Sequence, residues 1–240
     1  TDDLDWMPRV VMIAKNAFVW MFQLSQKYGR EIKTLDQIPD EELDNLAKWN
    51  FTALWLIGIW ERSSASRKIK QMMGNPEAAS SAYSLFVYVI ANELGGESAF
   101  ENLKARSWQR GIRLSSDMVP NHTGIYSKWV TEKPEYFIQS KNPPYPNYKY
   151  TGPNLSDDDR VEVRIEDQYY QKTDAAVVFE RLDKFTGERS YIYHGNDGTN
   201  MPWNDTAQLD LMNAEVRESL IQTIMHVARK TPIIRFDAAM

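Results

Sequence analysis

Thr231-Pro-Ile-Ile-Arg-Phe-Asp-Ala-Ala-Met240 is a short apolar run carrying Arg235 and Asp237 two residues apart. On a strand that spacing puts both side chains on one face, so an ion pair is built into the element. Charges on a buried strand need close partners, because desolvation costs several kcal/mol per ion. A neighbouring guanidinium also favours the ionised carboxylate that a nucleophilic or electrostatic catalyst requires. A structural salt bridge inside an α/β sheet explains the same residues.

Gly111-Ile-Arg-Leu-Ser-Ser-Asp-Met-Val-Pro-Asn-His122 reads as a second strand ending in Asp117, with Asn121 and His122 just beyond. Two strands that each end in a carboxylate match a parallel barrel whose chemistry sits at the C-terminal strand ends. Asp117-Met-Val-Pro-Asn-His122 and Ile234-Arg-Phe-Asp237 resemble the first two signatures of the α-amylase family, glycoside hydrolase family 13. Gln208-Leu-Asp-Leu-Met-Asn213 resembles a further signature of that family. The resemblance implies a (β/α)8 barrel of which roughly the first four strands are present, with an irregular β-containing domain inserted after the third. The corresponding division is 1–122 for the first part of the barrel, 123–204 for the insertion and 205–240 for the barrel's continuation.

The remaining sequence is expected to fill this frame. Phe18-Val-Trp-Met-Phe22 is dense in β-formers, placing the first strand at Asn16 to Leu24, with a helix over Val10 to Ala14 as the alternative. Pro39 and Asp40 open a helix with Leu43 and Leu46 on one face, and Thr52 to Ile59 is an apolar run suited to a buried strand. Ser63 to Ser81 reads as a long loop with a short basic helix. Gly96 to Arg110 is an expected helix with Phe100, Leu103 and Trp108 inward, terminated at Gly111. Residues 175–183 and 189–194 flank Phe185-Thr-Gly-Glu as a hairpin. Asn213 caps a helix running to Lys230, with Val216, Leu220, Ile224 and Val227 inward; His226 is read as a packing or surface residue.

By resemblance Asp237 is the nucleophile of a retaining glycosidase and Arg235 orients it. His122 hydrogen-bonds the bound sugar, Asp117 supports the floor of the site, and Tyr83 is the aromatic platform. The family's aspartates after that tyrosine are replaced by Ser84 and Val87. Tyr83 as ordinary core packing is the alternative. Asn121 and Asp210 are oxygen donors suited to calcium, the structural ion the resemblance implies; the other reading has Asn121 bonding local backbone and Asp210 capping a turn. His122 as a zinc ligand lacks a second histidine at ligand spacing.

The implied activity is retaining cleavage of α-1,4-glucosidic bonds in starch- or glycogen-type glucans, with maltooligosaccharides as substrates. An α-glucan transglycosylase and a non-catalytic glucan-binding homologue are the alternatives. The family's acid/base glutamate and second aspartate come from later strands, so these 240 residues are expected to be a fragment without useful activity of its own. A net charge of −5 with scattered Lys and Arg gives no footprint for nucleic acid. The longest apolar run, Phe51 to Trp60, is too short for a bilayer, and no signal segment opens the chain; a cytoplasmic location is the expectation. Without cysteine there are no disulfides or thiol sites. Oligomeric state is not readable.

Overall fold

The computed structural model describes residues 3–199 and 201–238. The chain divides into two compact units. The first comprises residues 1–61, 88–118 and 223–237, and the second comprises 62–87, 119–222 and 238–240.

The first unit is a four-stranded sheet in the order β1 (Met12–Asn16), β2 (Ala53–Ile57), β3 (Arg113–Met118), β4 (Ile233–Phe236). Every pairing is parallel. Parallel neighbours need crossover connections, and helices supply them. The chain passes through α1 (Ala17–Tyr28) and α2 (Asp40–Lys48) before β2, α3 (Gly96–Trp108) before β3, and α4 (Ala214–Lys230) before β4. Leu54 and Leu56 on one face of β2 are fully buried, as are Leu43 of α2 and Phe100 and Leu103 of α3. The parallel pairing expected of two strands that end in carboxylates is present.

The first strand lies earlier than the β-former density suggested. Asn16 to Leu24 is not a strand: β1 ends at Asn16, and Ala17 to Tyr28 is helical. The Asn16 side chain accepts a hydrogen bond from the Val19 backbone N–H and so caps the helix, while Gly29, at φ +61°, closes it. Ala17, Trp20, Met21 and Leu24 are buried, whereas Val19 and Phe22 are exposed. That spacing belongs to a helix, and burial along one face overrides the local β preference of the aromatics.

Trp108 is a second correction. It is 61% exposed rather than inward, and the Arg113 guanidinium lies 4.9 Å from its ring centroid. Trp108 is the helix's last residue, and on that turn the inward position belongs to the fully buried Ser107. Gly111, at φ +72°, then returns the chain to β3, with Ile112 N–H donating to the Ser107 carbonyl.

The second unit is built on an antiparallel sheet in the order 139–140, 189–193, 178–183, 161–165. The expected hairpin is there, with Arg189 opposite Leu182 and Tyr193 opposite Val178. Its turn is held by the Asp183 carboxylate, which accepts from the backbone N–H groups of Phe185 and Thr186. A two-stranded antiparallel ribbon pairs His122–Gly124 with Thr206–Gln208. The expected basic helix is Ser64–Met72. Among the described residues no helix is long and apolar enough to cross a membrane.

His194, 3% exposed, gives this unit a pH dependence. Nδ1 donates to the Thr206 carbonyl at 3.0 Å, while Nε2 finds no hydrogen-bond partner among the described residues. Burial disfavours the charged ring and lowers its pKa from 6.5 to about 4. The unfolded chain therefore binds a proton that the fold refuses. Stability is full above pH 6.5 and falls between about pH 6.5 and 4 by about 3 kcal/mol, from the shift at 1.36 kcal/mol per unit. Urea unfolding at pH 8 and pH 4.5, with His194→Gln as comparison, reads this difference; an equal pH slope in the variant assigns the effect elsewhere.

Candidate active site

The first unit gathers three of the sequence-predicted residues. Arg235 sits directly beside Asp117 across the β3–β4 pair. Its Nη1 donates to Asp117 Oδ1 at 3.0 Å and forms an ion pair with Asp237 Oδ1 at 2.9 Å. One guanidinium nitrogen thus joins a buried carboxylate to a partly exposed one, with side-chain exposures of 4% for Asp117 and 26% for Asp237. The backbone sets this arrangement, since Asp237 N–H donates to the Met118 carbonyl at 2.9 Å just past the paired strands.

Asp117 is held on its other side as well. Trp55 Nε1 donates to Oδ2 at 3.0 Å, and Trp60 Nε1 donates to the Asp117 backbone carbonyl at 2.8 Å. Trp55 also lies under Arg235, the guanidinium carbon 4.8 Å from its ring centroid. Burial pushes the Asp117 carboxyl above its ordinary range, the Trp55 and Arg235 hydrogen bonds oppose that shift, and the nearby charge of Asp237 adds to it. Asp237 is the accessible carboxylate of the group and the one able to meet an external carbon atom. Neither tryptophan was singled out from the sequence. The register of β2 against β3, with Trp55 opposite Ser115, puts that indole next to the carboxylate, and such pairing is not readable from one strand alone.

The second unit gathers Tyr83 and Asn121 around His122. Its Nε2 donates to the Tyr83 backbone carbonyl at 3.1 Å, which leaves Nδ1 to accept from Asn121 Nδ2 at 3.2 Å. The Trp203 ring centroid lies 5.2 Å from that of His122. Gly195 keeps the cluster tight: a Cβ there would stand 2.4 Å from Thr206 Oγ1 and 3.2 Å from His122 Cβ. Tyr83 is half-buried. His226, in the first unit, donates from Nε2 to the Tyr88 carbonyl at 2.7 Å, as a packing residue would.

Asn121 and Asp210 each turn a side-chain oxygen to an intramolecular donor. Asn121 Oδ1 accepts from Gln208 Nε2 at 2.9 Å, and Asp210 Oδ1 accepts from the Met212 N–H at 3.0 Å. Calcium takes six to eight oxygens. Among the described residues there is no group of three or more acidic, histidine or cysteine side chains that could hold a metal. Asp210 caps its own turn, as the turn-cap reading has it, while Asn121 bonds the Gln208 side chain rather than local backbone. A chelator is expected to leave the thermal midpoint unchanged; a fall reversed by added calcium would show that the ion is structural.

The alpha-amylase catalytic domain family matches residues 26–154, just over half the chain. Alpha-amylase SusG of Bacteroides thetaiotaomicron is 30% identical over 124 residues, which make up 51% of this chain and 15% of that protein. Among solved structures, an alpha-amylase from Lactobacillus plantarum superposes with a TM-score of 0.58 at 17% identity, over 96% of this chain and 39% of that one. Isomaltulose synthase from Klebsiella sp. LX3 gives a TM-score of 0.55 at 17% identity, over 97% of this chain and 35% of that one. At these identities the likeness speaks for the fold alone. The chain spans well under half the length of these relatives.

Proposed function

Because the chain belongs to the α-amylase family, we propose that it forms the nucleophile-bearing part of a retaining enzyme that cleaves α-1,4-glucosidic bonds in starch- or glycogen-type glucans. The observation that carries this reading is the Asp117–Arg235–Asp237 relay at the C-terminal ends of two parallel strands. Barrel enzymes place their chemistry at that end. In this reading β1 to β4 are the first four strands of the barrel, residues 1–122 and 205–240 belong to it, and residues 123–204 are the inserted domain. Family 13 relatives supply the acid/base glutamate and second aspartate from later strands, so the full-length protein is the catalytic unit.

Asp237 attacks the anomeric carbon as the glycosidic C–O bond breaks, and the acid/base carboxyl gives its proton to the leaving oxygen. Water then attacks the glycosyl–aspartate, losing its proton to that same group, and Asp237 is released as the carboxylate. Arg235 aims Asp237 through an ion pair from a planar group that a lysine cannot reproduce. Asp117 fixes the other side of the guanidinium. His122 seats the Tyr83 segment through its carbonyl, and the family resemblance makes Tyr83 an aromatic platform for a bound sugar.

The test is the product distribution from a defined linear maltooligosaccharide with the full-length protein. Shorter products alone support hydrolysis. Products longer than the substrate, appearing early, replace it with transglycosylation. Binding without turnover makes the protein a glucan-binding homologue.

A further inference from the structure

Asp117 and Arg235 share a neighbour that belongs to neither of their strands. The Trp55 indole N–H ends on Asp117 Oδ2 at 3.0 Å, and the face of the same indole lies 4.8 Å beneath the Arg235 guanidinium carbon. One rigid side chain therefore touches both members of the pair that holds Asp237. We propose that Trp55 is a positioning residue for the nucleophile, fixing the plane of Arg235 by stacking and the rotamer of Asp117 by its N–H, so that one guanidinium nitrogen can serve two carboxylates. This inference rests on the reading of Asp237 as the nucleophile.

The geometry makes each contact necessary. Arg235 is 38% exposed in its side chain, and a long side chain at that exposure keeps rotamer freedom unless something restrains it. A guanidinium stacked on an aromatic face keeps its in-plane N–H groups for carboxylates. Asp117, at 4% exposure, has its two carboxylate oxygens matched to two donors, one from β2 and one from β4. Removing the β2 donor leaves a buried oxygen unpaired and shifts the shared charge toward the protonated form. Trp60 offers an internal control, because its indole N–H donates to the backbone carbonyl of the same aspartate rather than to the carboxylate.

The test uses the full-length protein with Trp55→Phe, Trp55→His and Trp60→Phe, each read as kcat, KM and the acid limb of the pH–rate profile. Trp55→Phe keeps an aromatic face and loses the N–H. It is expected to lower kcat on the order of tenfold to a hundredfold with KM within about twofold, and to move the acid limb upward by about half a pH unit or more. Trp55→His restores an N–H on a smaller ring and is expected to recover part of kcat and bring the limb back. Trp60→Phe is expected to leave the limb in place. An unmoved limb in Trp55→Phe, or an equal movement in Trp60→Phe, overturns the proposal, because a packing role predicts either. Asp237→Asn separates this failure from failure of the underlying reading: if that variant turns over normally, Asp237 is not the nucleophile.

Discussion

Asp237→Asn in the full-length protein is expected to lose about 10⁴-fold or more in kcat, the range seen when a covalent catalyst loses its nucleophile. An amide is nearly the same size as a carboxylate and can still accept the Arg235 N–H, so folding and glucan binding are expected to persist. Steady-state kinetics and affinity electrophoresis on glycogen, measured side by side, read the two properties. Loss of binding together with turnover would place Asp237 in recognition rather than in bond cleavage.

Arg235→Leu is expected to act in two ways. It leaves the Asp117 carboxylate with the Trp55 N–H as its remaining side-chain donor, which costs about 1–3 kcal/mol in stability for a buried acceptor stripped of a partner. It also removes the cation from beside Asp237, so kcat falls by roughly 10²-fold or more through loss of charge stabilisation and aim. The midpoint of urea unfolding and the kcat of the same preparation separate the two effects. At low pH the stability difference narrows, because protonation of Asp117 removes the charge that Arg235 serves. A variant as active as the parent would make the relay a structural ion pair.

The pairing of Arg235 with Asp237 was legible in the sequence because strand periodicity alone puts i and i+2 on one face. Asp117 was legible as a strand-end carboxylate, although its direct contact with Arg235 depends on the β3–β4 register, which no single strand carries. The hairpin at 178–193 announced itself through turn chemistry at Asp183 and Gly187. Around Asn16 the sequence misled, since aromatic and β-branched residues fit a strand by propensity and a helix by burial spacing, and packing chose the helix. Trp108 was misplaced because the inward position on the helix's last turn falls on Ser107, a small polar residue that an apolar pattern does not mark. Trp55 was invisible as a site residue because its importance lies in what stands on the neighbouring strands. The calcium expectation came from residue type, and the donors that Gln208 and the Met212 N–H bring to those oxygens were not readable from it.

Covalent capture at Asp237 bears most directly on the proposed chemistry. A 5-fluoro-α-glucosyl fluoride reacts with a retaining α-glycosidase to release fluoride and leave a slowly hydrolysed glycosyl ester on the nucleophile. Peptide mass spectrometry of the labelled full-length protein is expected to find one hexosyl-sized adduct on Asp237, competed away by maltooligosaccharide. An adduct on another carboxylate, or rapid turnover of natural substrate with inversion at the anomeric carbon and no adduct, would contradict the assignment of Asp237 as the nucleophile.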